Sequence, residues 1–107
     1  MKTIVTLALF TGSLALAQNA NNGKQLFEKY GCYTCHGTMG QGTAAGARLA
    51  PRTIAAAALT AYVRKPAGSM PPFTAKVITD AELADIRAYL ASIPAPPPLK
   101  DIPLLNQ

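Results

Sequence analysis

Cys32-Tyr33-Thr34-Cys35-His36 is the stretch that decides how this chain reads. Two cysteines three residues apart, followed at once by a histidine, form the pattern that covalent haem attachment requires. On a helix the two thiols stand about one turn apart, so both can add to the vinyl groups on one edge of a porphyrin. The histidine then lies beneath the ring and can present a ring nitrogen to the iron. The chain holds only two Cys and one His. Placed at random, the three would fall into this arrangement in roughly 2 of 10,000 shuffles, far less often than most short motifs arise by chance.

Three other chemistries use the same residue types. A disulfide across so short a span would be strained and would leave the adjacent histidine unexplained. An exported dithiol oxidoreductase of the thioredoxin kind needs a βαβ pattern nearby, and none is visible. A zinc site needs four ligands, and Cys and His together supply three. One covalent haem c is the reading that uses all three residues.

The 107 residues allow one domain at most. Lys2 followed by the largely apolar run Ile4–Leu16, with Ala15-Leu16-Ala17 as an A-x-A site, has the form of a signal peptide cleaved after Ala17. The run is short for a bilayer span, and small residues interrupt it. The expected organisation is a signal peptide at 1–17, a domain at 18–93 and a Pro-rich tail at 94–107, in a periplasmic protein. The 90 residues after the signal carry nine Lys/Arg against five Asp/Glu, a net charge of +4. The basic residues are too few and too scattered for nucleic acid, which needs clustered runs. They suit an acidic protein face or an anionic membrane surface, with Lys24, Lys29, Arg64, Lys65 and Lys76 as candidates for steering a partner.

So short a domain has little core of its own. Its aromatics are Phe27, Tyr30, Tyr33, Tyr62, Phe73 and Tyr89, and a buried porphyrin would supply the rest of the apolar interior. Asn22 is placed to cap a helix from about residue 23 to 31 that buries Leu26, Phe27 and Tyr30. Residues 37–51 carry Gly40, Gly42 and Gly46 without strand alternation and read as an irregular loop. Thr53 can cap a second helix from Ile54 to about Lys65, with Leu59, Tyr62 and Val63 as its apolar stripe and Pro66 as its stop. Thr79 and Glu82 spell a capping box for a third helix to about Ile93, whose apolar face is Leu83, Ile86, Tyr89, Leu90 and Ile93. The five prolines of 94–107 predict an extended tail. Its Leu99, Ile102, Leu104 and Leu105 either fold back on the domain or dock on a partner.

A sixth iron ligand must come from elsewhere, because no second histidine exists. Methionine, lysine, the terminal amine and an open position are the choices. Met1 leaves with the signal, and Met39 is too near His36 to reach the opposite face of the ring. Met70 stands thirty-four residues on, and Pro71 and Pro72 stiffen the backbone that would hold its sulfur. Met70 is the expected ligand.

With Cys32–His36, Met70-Pro71-Pro72-Phe73, a helix before the first and a helix after the second, the chain resembles a small class I cytochrome c over residues 22–93. The resemblance implies an all-α fold of about three main helices round one covalent haem. It implies that the first and last helices cross, pairing Gly23, Leu26 and Phe27 with Ile86, Tyr89 and Leu90. The family's Gly-Pro-x-Leu loop sets a carbonyl on the ligand histidine's other nitrogen, and Gly46-Ala47-Arg48-Leu49 aligns with it, Ala47 replacing the proline. Arg48 or Arg52 is then a candidate partner for a haem propionate. The implied function is non-enzymatic relay of single electrons from a dehydrogenase or respiratory donor to a terminal oxidase or other acceptor, as a free carrier or as a subunit. The alternative is a haem peroxidase or gas-binding protein with a labile sixth ligand, for which no distal histidine is present.

Overall fold

The computed structural model describes residues 18–107, so the signal sequence read at 1–17 lies outside the described residues. Four α-helices and no strand form the described fold: α1 at Ala20–Lys29, α2 at Tyr33–His36, α3 at Ala56–Arg64 and α4 at Asp80–Ser92. The short α2 is an addition to the three helices that the sequence predicts, and it is the turn that carries the C-x-x-C-H motif.

Helices α1 and α4 cross at the centre of the domain. Gly23 makes this possible, since a Cβ there would overlap the Asp85 carbonyl and stand 2.9 Å from the Ile86 amide nitrogen. Below the crossing, the rings of Phe27 and Tyr89 meet at 5.7 Å between centroids, a separation at which aromatic pairs attract beyond their buried area. The Tyr30 hydroxyl donates to Glu82 Oε1 at 3.0 Å, tying the end of α1 to the start of α4. Phe27 and Ile78 are the largest fully buried side chains, and Leu26, Val63, Leu83, Ile86 and Leu90 complete the centre of the core.

The start of α1 differs from the expectation. Asn19, not Asn22, is the cap: its Oδ1 accepts from the Asn22 amide at 3.0 Å. The choice is made from across the fold. Asp85 on α4 accepts the Asn19 backbone N–H and the Asn22 side-chain amide, each at 2.8 Å, so both asparagines are held where the earlier one caps. The same two bonds hold the Asp85 carboxyl below its ordinary pKa.

The start of α3 also differs. Ala55 occupies the cap position without a side-chain bond, and Thr53 and Ile54 remain outside the helix. The Ile54 carbonyl is engaged by Arg87 Nε of α4 at 2.7 Å. Of the stripe expected on α3, Val63 is buried and Leu59 is half-buried, but Tyr62 faces out at 46 % exposure. The capping box of α4 forms as read, with the Thr79 amide donating to Glu82 Oε2 at 2.8 Å and the Glu82 amide donating to Thr79 Oγ1 at 3.2 Å.

Beyond α4 the tail is extended only as far as Pro98. Two 3-10 turns follow, at Leu99–Asp101 and Pro103–Leu105. The Asn106 side-chain amide closes them by donating to the carbonyls of Leu99, Lys100 and Ile102 at 3.4, 2.5 and 3.2 Å. Leu99, Leu104 and Leu105 stay 62–79 % exposed, so this segment does not bury its leucines on the domain.

Candidate haem site

The motif occupies one tight turn between two glycines. Gly31 ends α1, and its carbonyl accepts both the Thr34 amide at 3.1 Å and the Thr34 hydroxyl at 2.6 Å, which starts the turn of α2. The His36 amide donates to the Cys32 carbonyl at 3.0 Å, and the Gly37 amide closes the turn on Tyr33 at 2.9 Å. Cys32 and Cys35 therefore stand one turn apart, both as free thiols. Cys32 is half-buried against the core and Cys35 is exposed. Burial pushes the Cys32 thiol up from its ordinary pKa, against a smaller opposing effect of a backbone hydrogen bond.

The imidazole of His36 is oriented by the loop that follows. Its Nδ1 lies 2.7 Å from the Ala47 carbonyl oxygen. A carbonyl can only accept, so Nδ1 carries the proton and Nε2 keeps the lone pair that a metal needs. Two features bring the carbonyl this close. Gly46 packs against the end of α2, where a Cβ would stand 2.7 Å from the Cys35 oxygen and 3.0 Å from His36 Nδ1. Thr43 Oγ1 donates to the Cys35 carbonyl at 2.5 Å, pinning the same loop to the helix end. Proline is not needed at position 47 for this contact.

His36 and Cys32 open on an apolar cleft whose mouth reaches solvent, the concave and mainly apolar kind of surface that cofactor sites use. Helices α1 and α4 contribute Phe27, Leu83, Ile86 and Leu90 to its lining. The 37–55 loop contributes Leu49, α3 contributes Leu59 and Val63, and the segment before α4 contributes Met70, Phe73 and Ile78. Apart from Cys32 and His36, every lining residue is apolar, and Met70 is the one that can donate a thioether to a metal. Met39, by contrast, is 50 % exposed at the surface.

These residues fit a covalently held haem. The cleft is apolar, Cys32 lines it with Cys35 one turn further along the same helix, and one imidazole has its tautomer set by a backbone carbonyl. The groups needed for zinc are absent: among the described residues no cluster of three or more His, Cys, Asp or Glu exists. The two arginines considered for propionates are not brought into the cleft. Arg48 is exposed and donates through Nε to the Gln41 carbonyl at 3.3 Å, and Arg52 is also exposed.

Some of what holds the site is not readable from short-range patterns. Tyr89 reaches from α4 to donate its hydroxyl to the Thr38 carbonyl at 2.8 Å, fastening the start of the loop. Burial, with the Glu28 charge a smaller contribution, pushes the Tyr89 hydroxyl above its ordinary pKa. Arg64, read from the sequence as a steering charge, is instead engaged by the Phe73 carbonyl and Asp80. The partners of these bonds lie nine to 51 residues away in sequence, beyond the reach of helix periodicity or cap patterns.

A family model described as cytochrome c oxidase, cbb3-type, subunit III matches residues 18–90. No curated protein and no solved structure matches the chain. Among the described residues no helix is long and apolar enough to cross a membrane.

Proposed function

The chain belongs to the family described as cytochrome c oxidase, cbb3-type, subunit III, and is a small class I cytochrome c; from that premise we propose that it is an electron carrier with a single covalent haem, joined through Cys32 and Cys35 and ligated by His36 and Met70. The observation that carries this reading is that His36, with Nε2 left free to ligate, and Met70 line one apolar cleft. Bound haem supplies a one-electron ferric/ferrous couple.

The protein's own residues then have distinct tasks. The two cysteines anchor the porphyrin on the turn of α2. The Ala47 carbonyl fixes the His36 ring and makes it a better donor to iron. A Met70 thioether favours the ferrous state and so raises the potential. The apolar lining keeps water from the iron and limits reorganisation when the charge changes. No second histidine and no arginine lines the cleft, which supports electron relay over peroxidase chemistry.

The partners proposed are redox proteins, a dehydrogenase on one side and an oxidase component or other acceptor on the other, in the periplasm. Lys24, Lys29, Lys65 and Lys76 are exposed and are the charges available to steer an acidic partner.

Met70→Ala tests the ligand assignment. The variant should keep covalent haem and fold, and lose the thioether-ligated ferric spectrum. Carbon monoxide should bind the ferrous form rapidly, and the potential should fall by a sizeable part of the ~0.8 V that axial ligands command. A variant that retains the wild-type spectrum and slow carbon monoxide binding removes Met70 from the site.

A further inference from the structure

We propose that Arg64 is a positioning residue that holds the Met70 segment in place; this rests on the reading of Met70 as the iron ligand. Met70 and Phe73 pack against the core, but the segment's backbone has few anchors. Pro71 and Pro72 follow Met70, and neither has a backbone N–H to donate. Its first fixed point is Phe73, whose amide donates to the Val63 carbonyl at 3.0 Å. The Phe73 carbonyl is then gripped from the other side by Arg64 Nη1, also at 3.0 Å. Val63 and Arg64 are adjacent residues at the end of α3, so both bonds tie the segment to one rigid point.

The second arm of the same guanidinium fixes the other direction. Arg64 Nη2 pairs with Asp80 Oδ1 at 2.6 Å, and Asp80 is the first residue of α4. One side chain thus joins the end of α3, the carbonyl three residues after Met70 and the start of α4. Only arginine presents donors in a planar fork that can serve two acceptors at once.

The two arms differ in weight. Arg64 is 22 % exposed and Asp80 76 % exposed, so water competes with the ion pair, and exposed pairs of this kind contribute little. The bond to the Phe73 carbonyl is partly buried and charge-assisted, and its loss would leave a carbonyl unsatisfied. Arg64 therefore acts chiefly on the Met70 segment, and the Asp80 contact serves to aim the guanidinium.

The experiment is imidazole binding to the ferric holoprotein, because imidazole enters only when the methionine lets go. Arg64→Leu keeps the aliphatic stem and should raise imidazole affinity tenfold or more. Arg64→Lys, with one donor group restored, should recover part of the difference. Asp80→Asn should change affinity less than threefold. Urea unfolding of each variant, followed in parallel, shows whether the effect exceeds any loss of global stability. The proposal is overturned if Arg64→Leu stays within threefold of the wild type, or if Asp80→Asn matches its gain. It is also overturned if the gain only tracks global stability. Should Arg64→Leu fail to fold, Arg64→Lys carries the test, and affinity equal to the wild type's counts against the proposal. Met70→Ala is the reference: if the wild type already binds imidazole as tightly as that variant, the ligand assignment itself fails. A clear difference there, with Arg64→Leu silent, overturns the Arg64 role alone.

Discussion

Substituting Gly23 by alanine sets two physical effects against each other, and the structure decides which wins. Within a helix, alanine is favoured over glycine by about 1 kcal/mol at most, so local propensity argues that Gly23→Ala stabilises α1. The crossing argues the opposite. The new methyl would overlap the Asp85 carbonyl and press on the Ile86 nitrogen at 2.9 Å. All three of its nearest contacts are backbone atoms of α4, so no side chain can rotate away. The helices must part, and two sets of contacts part with them. One is the packing of Phe27 against Tyr89. The other is the pair of bonds by which Asp85 holds Asn19 and Asn22. Overpacking of a rigid core costs about 1–3 kcal/mol and sometimes more, and the backbone contact puts this site at the upper end. Net destabilisation of about 2 kcal/mol or more is expected, which lowers the melting midpoint of a domain of this size by roughly 8–16 °C. Thermal unfolding of the holoprotein by circular dichroism reads this directly. A midpoint equal to or above the wild type's would show that α1 and α4 do not cross at Gly23.

The remaining expectations concern acid stability and the tail. Because Asp85 is held below its ordinary pKa by the Asn19 and Asn22 bonds, its stabilising effect is fully present above the unfolded carboxyl's value of about 3.9. It is lost as pH falls through the depressed folded value, so an Asp85→Asn variant should lose part of the wild type's stability change in that window; identical urea midpoints from pH 5 down to 2 for both proteins, relative to their pH 7 values, would contradict it. Deleting residues 96–107 should move the folding stability of the isolated protein by no more than about 0.5 kcal/mol, the range of surface changes, since Leu99, Leu104 and Leu105 are already exposed. Association with the native redox partner should weaken, and a midpoint several degrees lower would instead show that the tail packs on the domain.

What the sequence discloses here is what neighbouring residues decide among themselves. The capping box of α4 is legible because Thr79 and Glu82 satisfy each other three residues apart. The C-x-x-C-H turn is legible because two cysteines and a histidine at that spacing form a short local pattern of known chemistry. The cap of α1 is not, since two asparagines are locally equivalent and Asp85, more than sixty residues on, selects between them. The start of α3 is hidden for the same reason: Arg87 takes the Ile54 carbonyl that the sequence assigns to the helix. Arg64 reads as one more surface cation until the fold sets Phe73 and Asp80 beside it.

The site is also legible early because it is not separate from the core. Phe27, Val63, Ile78, Leu83, Ile86 and Leu90 are the buried centre of the domain and at the same time line the cleft. A chain of this length has little apolar interior to spare, and here the residues that form it also face the cleft. The same apolar residues therefore serve both the helix packing and the cleft, and Cys32 and His36 of the C-x-x-C-H turn line that cleft with them.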